Sequence, residues 1–178
     1  MLLAIPYQYL NVKNVNLAPF KADKYKRMMA RLSYKDDNIL FNDVSILSPI
    51  ITVIDYNPNN SRLRLDISNH FDFQIKLNTL YEYLINTIYI NKTTFFDENM
   101  SYEEFIRTFY YITDGHILSL YIYPTAFVKK GNNVFMRVAD LKPGDTIRCV
   151  ITFQGISQIK NNTRLRLHHS VPSIYYLE

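Results

Sequence analysis

The sequence predicts a mainly β fold with inserted helices (α+β), in one domain that spans residues 1–178. Ile, Tyr, Phe and Val dominate many windows over Ala and Leu, and β-branched and aromatic side chains favour strands. Several short runs alternate apolar and polar residues, whereas one longer stretch repeats apolar residues every three or four positions. No segment rich in Gly, Pro or Ser divides the 178 residues, and a chain of this length can bury a sizeable core.

In the first half, alternation between turn-forming residues predicts four strands. They cover residues 7–17, 39–41, 50–56 and 62–67. Residues 71–91 then repeat apolar side chains at spacings of four, three, four and four, which predicts a helix of about 14 to 18 residues. Its apolar face comprises Phe73, Leu77, Leu80, Tyr81, Leu84, Ile85 and Ile88. Ser101 and Glu104 have the spacing of a capping box, which predicts a second helix over residues 102–110.

The second half is predicted to be mostly β. The predicted strands cover residues 116–123, 127–130, 134–138 and 146–153, and a last hairpin covers residues 159–168. Pro143-Gly144 is a strong turn signal before the strand that begins at residue 146. Gly155 stands where a bulge or a strand bend fits.

One seven-residue pattern occurs twice, as residues 59–65 (NNSRLRL) and residues 161–167 (NNTRLRL). Successive side chains of a strand point to opposite faces, so each copy is predicted to bury its Leu pair and expose its Arg pair. Arginine on a strand surface suits phosphate and base contacts, because the planar guanidinium binds oxyanions and stacks on rings. A solvated sheet face is the alternative interpretation.

Basic and aromatic residues are also interleaved over residues 21–34, a combination that attracts phosphates and stacks bases. An exposed amphipathic segment is the alternative there. The net charge of +4 permits nucleic-acid binding without requiring it. The candidate nucleic-acid-binding residues are Lys24, Tyr25, Lys26, Arg27, Arg31, Tyr34, Arg62, Arg64, Lys129, Lys130, Phe135, Arg137, Arg148, Arg164 and Arg166.

The sequence offers no catalytic or metal-binding pattern. Nucleophile-elbow, Walker and dinucleotide-binding motifs are absent, and His70, His116, His168 and His169 lack metal-ligand spacing. The single cysteine, Cys149, cannot form an internal disulfide, and its apolar neighbours predict a buried thiol. We therefore expect a protein that is not an enzyme and that needs no cofactor and no metal.

Two stretches resemble the single-stranded-DNA-binding proteins of large eukaryotic DNA viruses. The first comprises residues 39–49 (ILFNDVSILSP), the Arg–Leu strand that follows and residues 71–84; the second comprises residues 141–151 (LKPGDTIRCVI) and Gly155-Ile156. These proteins are related in architecture to phage replication-fork binders with one OB-fold. The resemblance implies an OB-type antiparallel barrel of five or more strands with about two covering helices.

The expected function is sequence-tolerant binding of single-stranded DNA in viral-type replication or recombination, through a basic, aromatic-lined groove. The expected partner is single-stranded nucleic acid, DNA in preference to RNA, with a homo-oligomer left open and no membrane. We expect a soluble intracellular protein, at the host nucleus or a cytoplasmic replication site if viral. Two alternatives stay open: a β-rich viral structural or assembly protein, and a small nucleic-acid-processing enzyme, for which the acids are dispersed.

Overall fold

The computed structural model describes residues 3–22, 28–91, 99–131, 134–158 and 164–177, which form fifteen strands and two helices. The first eight strands are β1 (Ile5–Pro6), β2 (Val15–Leu17), β3 (Lys21–Ala22), β4 (Met28–Asp36), β5 (Ile39–Phe41), β6 (Val44–Leu47), β7 (Ile51–Asn57) and β8 (Arg62–Asp66). The helices are α1 (Phe71–Ile90) and α2 (Tyr102–Ile106). The later strands are β9 (Phe109–Tyr110), β10 (Thr113–Asp114), β11 (Ile117–Tyr121), β12 (Phe127–Lys130), β13 (Val134–Arg137), β14 (Thr146–Gln158) and β15 (Leu165–Leu177).

The prediction of a mainly β fold with two helices is confirmed. The hydrogen-bonded strand order is β10–β11–β8–β7–β14–β15–β12–β13, and β4 and β6 also pair with β14. The sheet is open, so the OB-type barrel that the resemblance implies is not confirmed. The segment from Phe109 to Asp114 pairs with β15 through β9 and with β11 through β10.

Strand β14 is the common partner of the sheet. One edge pairs with β15 along most of its thirteen residues. The other edge pairs in succession with β7, β6 and β4. Strands of different parts of the chain are therefore placed relative to one another by a single strand.

Gly155 is the point where β4 can approach β14. A Cβ atom at this position would lie 2.4 Å from the carbonyl oxygen of Ala30. The pairing of β14 with β15 shifts register beside it, between Phe153 and Gly155, as at a β-bulge. The expectation of an irregularity at this glycine is confirmed.

Helix α1 covers the sheet with the face that the apolar spacing predicts. All seven predicted side chains of that face are buried, although the helix is longer than predicted, with twenty residues. The hydroxyl of Tyr81 accepts a hydrogen bond from the backbone N–H of Ile112 at 3.1 Å. The helix thereby holds the segment that links β9 to β10. Cys149 is buried as predicted, and burial raises the pKa of its thiol to about 11.

Several predicted elements were wrong in extent. The strand predicted over residues 146–153 runs to Gln158, and the last strand runs to Leu177 rather than to residue 168. Residues 7–17 form a strand only over Val15–Leu17, because 3₁₀ turns occupy Tyr7–Tyr9 and Val12–Asn14. The side chain of Asn11 accepts a hydrogen bond from the N–H of Lys13 and so stabilises the second turn. The capping box at Ser101 and Glu104 is present, but α2 ends at Ile106 rather than at residue 110. Phe109–Tyr110 instead form β9, which pairs with β15.

Replacing Gly155 by Ala should lower the free energy of unfolding by about 1–3 kcal/mol, a usual range for overpacking. The new methyl group would collide with backbone of β4 rather than with a flexible side chain. Urea unfolding of this variant beside Gln154→Ala, which alters an exposed neighbour on the same strand, measures the difference. Equal midpoints for the two variants would show that β4 moves away at no cost.

Candidate nucleic-acid interface

The two Arg–Leu copies lie on β8 and at the start of β15. Leu63, Leu65, Leu165 and Leu167 are all buried in the core. The arginines beside them are partly or fully exposed. The predicted division of each copy into an aliphatic and a guanidinium face is therefore confirmed. The Asn-Asn turn of the first copy connects β7 to β8, and the turn of the second copy, residues 161–163, lies outside the described residues.

Both copies contribute to one surface depression of about 220 Å³. Its lining comprises Arg62, Tyr110, Tyr111, Ile112, Tyr121, Arg166, Leu167, His168 and His169. We call it the arginine–tyrosine groove. Arg62 and Arg166 are far apart in sequence. They reach one depression because β9 pairs with β15, β10 pairs with β11, and β11 pairs with β8, which carries Arg62.

Each arginine copy lies against a tyrosine ring of the groove. Arg62 pairs across strands with Tyr121, and its guanidinium carbon is 5.8 Å from the centre of that ring. Arg164 and Arg166 lie 5.0 and 5.7 Å from the ring of Tyr110. Contacts of this kind hold a guanidinium in place while leaving it charged. The groove therefore presents oriented cations beside aromatic rings.

His169 connects the two walls of the groove. Its Nε2 atom accepts a hydrogen bond from the backbone N–H of Tyr121 at 3.0 Å, which ties β15 to β11. Burial, with the positive charges of Arg62 and Arg166 and the neighbouring His168, lowers the pKa of His169 to about 4. The imidazole is consequently neutral at pH 7 and serves as an acceptor, not as a cation.

A second, more polar depression of about 450 Å³ adjoins the groove and shares Arg62 and Tyr111 with it. Asp55, Asn57, Asn60, Arg64 and Ser119 complete its lining. Here the Nη1 atom of Arg64 is 2.9 Å from a carboxylate oxygen of Asp55, with both side chains partly exposed. Arg64 is thus already ion-paired, whereas the repeated sequence alone gave no indication of an acid opposite it.

Five other predicted residues lie away from the groove. Lys129, Phe135 and Arg137 are exposed on the hairpin of β12 and β13, and Arg148 lies on β14. The Nε atom of Arg148 is buried and has no hydrogen-bond partner among the described residues. Lys130 faces the other side of that hairpin, where its ammonium lies 4.8 Å from the ring of Tyr176.

Tyr34 is a correction, because the structure places it in the core. It is only 2% exposed, and its hydroxyl accepts a hydrogen bond from the N–H of Asn11 at 3.3 Å. A ring in this position has no open face for a base. Arg31, on the same strand, is exposed. Lys24, Tyr25, Lys26 and Arg27 lie outside the described residues.

Sequence patterns did not identify the groove tyrosines or His169 as site residues. Tyr110 was assigned to a helix that ends earlier, so its pairing with β15 was not expected. Tyr121 stands next to Arg62 only through the pairing of β11 with β8. The one available signal was the abundance of tyrosine around residues 110–123.

Comparisons with protein-family models, with curated proteins and with solved structures give no match. In the part of the chain that the structure describes, three or more His, Cys, Asp or Glu side chains nowhere gather in a way that could hold a metal ion. Neither helix of the described residues has the length and apolar character needed to cross a membrane.

Lowering the pH should weaken the fold through His169. Its pKa is about 4 in the folded chain against 6.5 for an ordinary histidine, so the unfolded chain takes up the proton first as the pH falls. The contribution of the neutral His169 side chain to the free energy of unfolding is complete above pH 6.5. It is lost between pH 6.5 and pH 4, a change of about 3 kcal/mol.

Urea unfolding of the wild type and of His169→Gln at several pH values tests this. Glutamine keeps an acceptor for the N–H of Tyr121 but does not titrate. The difference in free energy of unfolding between the two proteins should change from pH 6.5 to pH 4. All other titrating groups are the same in both proteins, so a constant difference would contradict a lowered pKa at His169.

Proposed function

We propose that the chain binds single-stranded nucleic acid, DNA in preference to RNA, with little dependence on base sequence, through the arginine–tyrosine groove. One observation carries the proposal. Two copies of the same motif, in distant parts of the chain, bring Arg62 and Arg166 to one depression that also contains three tyrosines. A solvated sheet face has no reason to bring both copies to the same depression.

The chemistry of the groove matches the two sources of affinity for a single strand. Guanidinium groups attract phosphates and release counterions, which makes binding dependent on salt. Partly exposed tyrosine rings accept bases by stacking, which contributes about 1–3 kcal/mol per base and tolerates any base. The cation–ring contacts already present orient Arg62 and Arg166 before a ligand arrives.

A single strand fits better than a duplex. Reading a duplex usually requires a helix with basic side chains that enters the major groove. Helix α1 carries one Lys and no Arg, and α2 carries neither. The cations of the groove come from strands and lie beside rings, which suits unpaired bases.

The OB-type barrel and the viral replication role belong to the same proposal. The segment from Phe109 to Asp114 supports the barrel, because it hydrogen-bonds to β15 at one end and to β11 at the other. The patterns in residues 39–49 and 141–151 support the role through their resemblance to viral single-strand-binding proteins. Work at a host nucleus or a cytoplasmic replication site follows if that resemblance is correct.

A β-rich structural or assembly protein is the second candidate. Strand β13 ends the hydrogen-bonded order of the sheet, and Val134 and Phe135 on it are exposed. An exposed apolar edge strand can pair with another chain. Sedimentation over a range of protein concentrations distinguishes the two candidates, because assembly through this edge would raise the molecular weight without nucleic acid.

The double variant Arg62→Ala/Arg166→Ala should bind oligo-dT at least about tenfold more weakly than the wild type. The slope of log affinity against log salt should fall by about 1.4, at about 0.7 for each lost phosphate contact. The melting temperature should change little, since neither side chain is part of the core. Fluorescence titrations with labelled oligo-dT and with a matched duplex, at several salt concentrations, measure these effects.

The matched control is Lys13→Ala/Lys35→Ala, which removes the same charge from exposed positions outside the groove. An equal loss in this control would mean that only net charge matters. Unchanged affinity in the arginine variant would mean that the arginines are a solvated face. Failure of the wild type to bind oligo-dT at low salt would refute the proposed function itself.

A further inference from the structure

A second set of cations and rings forms a row across four neighbouring strands. Strand register places Arg148 of β14 beside Tyr175 of β15, Tyr175 beside Lys129 of β12, and Lys129 beside Phe135 of β13. Paired residues of adjacent strands share a face of the sheet. The row spans about 14 Å, from three strand spacings of about 4.8 Å.

Phe127 and Arg137 extend this row on the same hairpin. They face each other across β12 and β13, so rings and cations alternate in both directions. The rings of Phe127 and Phe135 meet edge to face, with centres 6.4 Å apart. We call the six residues the sheet platform: Phe127, Lys129, Phe135, Arg137, Arg148 and Tyr175.

The fold itself does not require these rings outside. Phe127 and Phe135 are 63% and 59% exposed. The hairpin buries its other face, where Val128 is fully covered and Met136 packs against the core. Two phenylalanines left in water cost free energy unless a partner covers them.

The charge of the platform decides which partner fits. Its two rows contain three cations and no acidic residue. Asp140 and Asp145 each lie three residues from a platform cation along the chain. Asp140 accepts a hydrogen bond from the backbone N–H of Arg137, and Asp145 accepts from the backbone N–H of Lys142 and from the hydroxyl of Tyr176. A partner therefore needs negative charge at intervals and flat apolar groups between the charges. A single strand of nucleic acid has both, and sheets with exposed aromatics serve as such platforms.

We propose that the sheet platform is a second contact surface for single-stranded nucleic acid, with bases stacked on Phe127 and Phe135 and phosphates near Lys129 and Arg137. This inference rests on the proposed function and adds a separate site to it. Arg166 in the groove and Tyr175 on the platform lie nine residues apart on β15, up to about 30 Å along the strand. One chain thus holds two segments of single strand.

Native mass spectrometry counts the oligo-dT molecules bound per protein chain. An oligo-dT of about 8 nucleotides lies within the usual site size of a single-strand binder. The wild type should bind two. The platform variant Phe127→Ala/Phe135→Ala and the groove variant Arg62→Ala/Arg166→Ala should each bind one. The control Phe71→Ala/Ile75→Ala, which removes exposed apolar side chains of α1, should still bind two.

A longer oligo-dT adds a second measurement, because a strand that reaches both surfaces binds with avidity. The platform variant should lose at least about tenfold in affinity for the longer strand. Lys129→Gln/Arg137→Gln should reduce the salt slope by about 1.4 if two phosphates are contacted. Because all four side chains are exposed, melting curves of both variants should match the wild type.

The outcomes separate this inference from the proposed function. The platform is not a binding site if the wild type binds one oligo-dT molecule, the platform variant also binds one and the groove variant binds none. That result would still support binding in the groove. Two oligo-dT molecules bound to the platform variant would also contradict the inference. So would a wild-type protein dimer, formed without nucleic acid, that only the platform variant dissociates. No oligomer on the wild type would refute the proposed function as a whole.

Discussion

The architecture depends on the sharing of β14 among four other strands. Because β14 pairs with β15 on one edge and with β7, β6 and β4 on the other, it fixes the distance between the two halves of the sheet. The absence of a side chain at Gly155 permits the pairing with β4. Strands β8 and β15 are placed on either side of this arrangement. The segment from Phe109 to Asp114 pairs with β15 through β9 and with β11, the neighbour of β8, through β10.

Several cations at one surface repel one another, and contacts with aromatic rings in the groove offset part of this repulsion without removing the charge. Arg62 and Arg166 lie against tyrosine rings, which attract a cation yet leave its charge available. His169, between them, stays neutral because burial and the arginines oppose its protonation. Arg64, in the adjoining depression, pairs with an acid, Asp55. A phosphate there must replace a carboxylate, so Arg64 should contribute less to affinity than Arg62.

Sequence patterns predicted what depends on local order. The burial of the Leu pairs follows from alternation, and the buried face of α1 follows from its spacing. The groove depends on pairings between distant segments, which no local pattern contains. The interleaving of basic and aromatic residues wrongly predicted that Tyr34 contacts a ligand, because that pattern ignores the two-residue period of a strand. Arg31 and Tyr34 are three residues apart, so a strand must place them on opposite faces.

The same strand that completes the groove also crosses the sheet platform. Strand β15 contributes Arg166 at its beginning and Tyr175 near its end, so the spacing between the two surfaces is set by hydrogen-bonded backbone rather than by a flexible linker. Cooperation between the surfaces is then governed by the nucleic acid, whose length and flexibility decide whether it reaches both. A rigid protein and a flexible ligand together make affinity depend on strand length, with no change in protein conformation required.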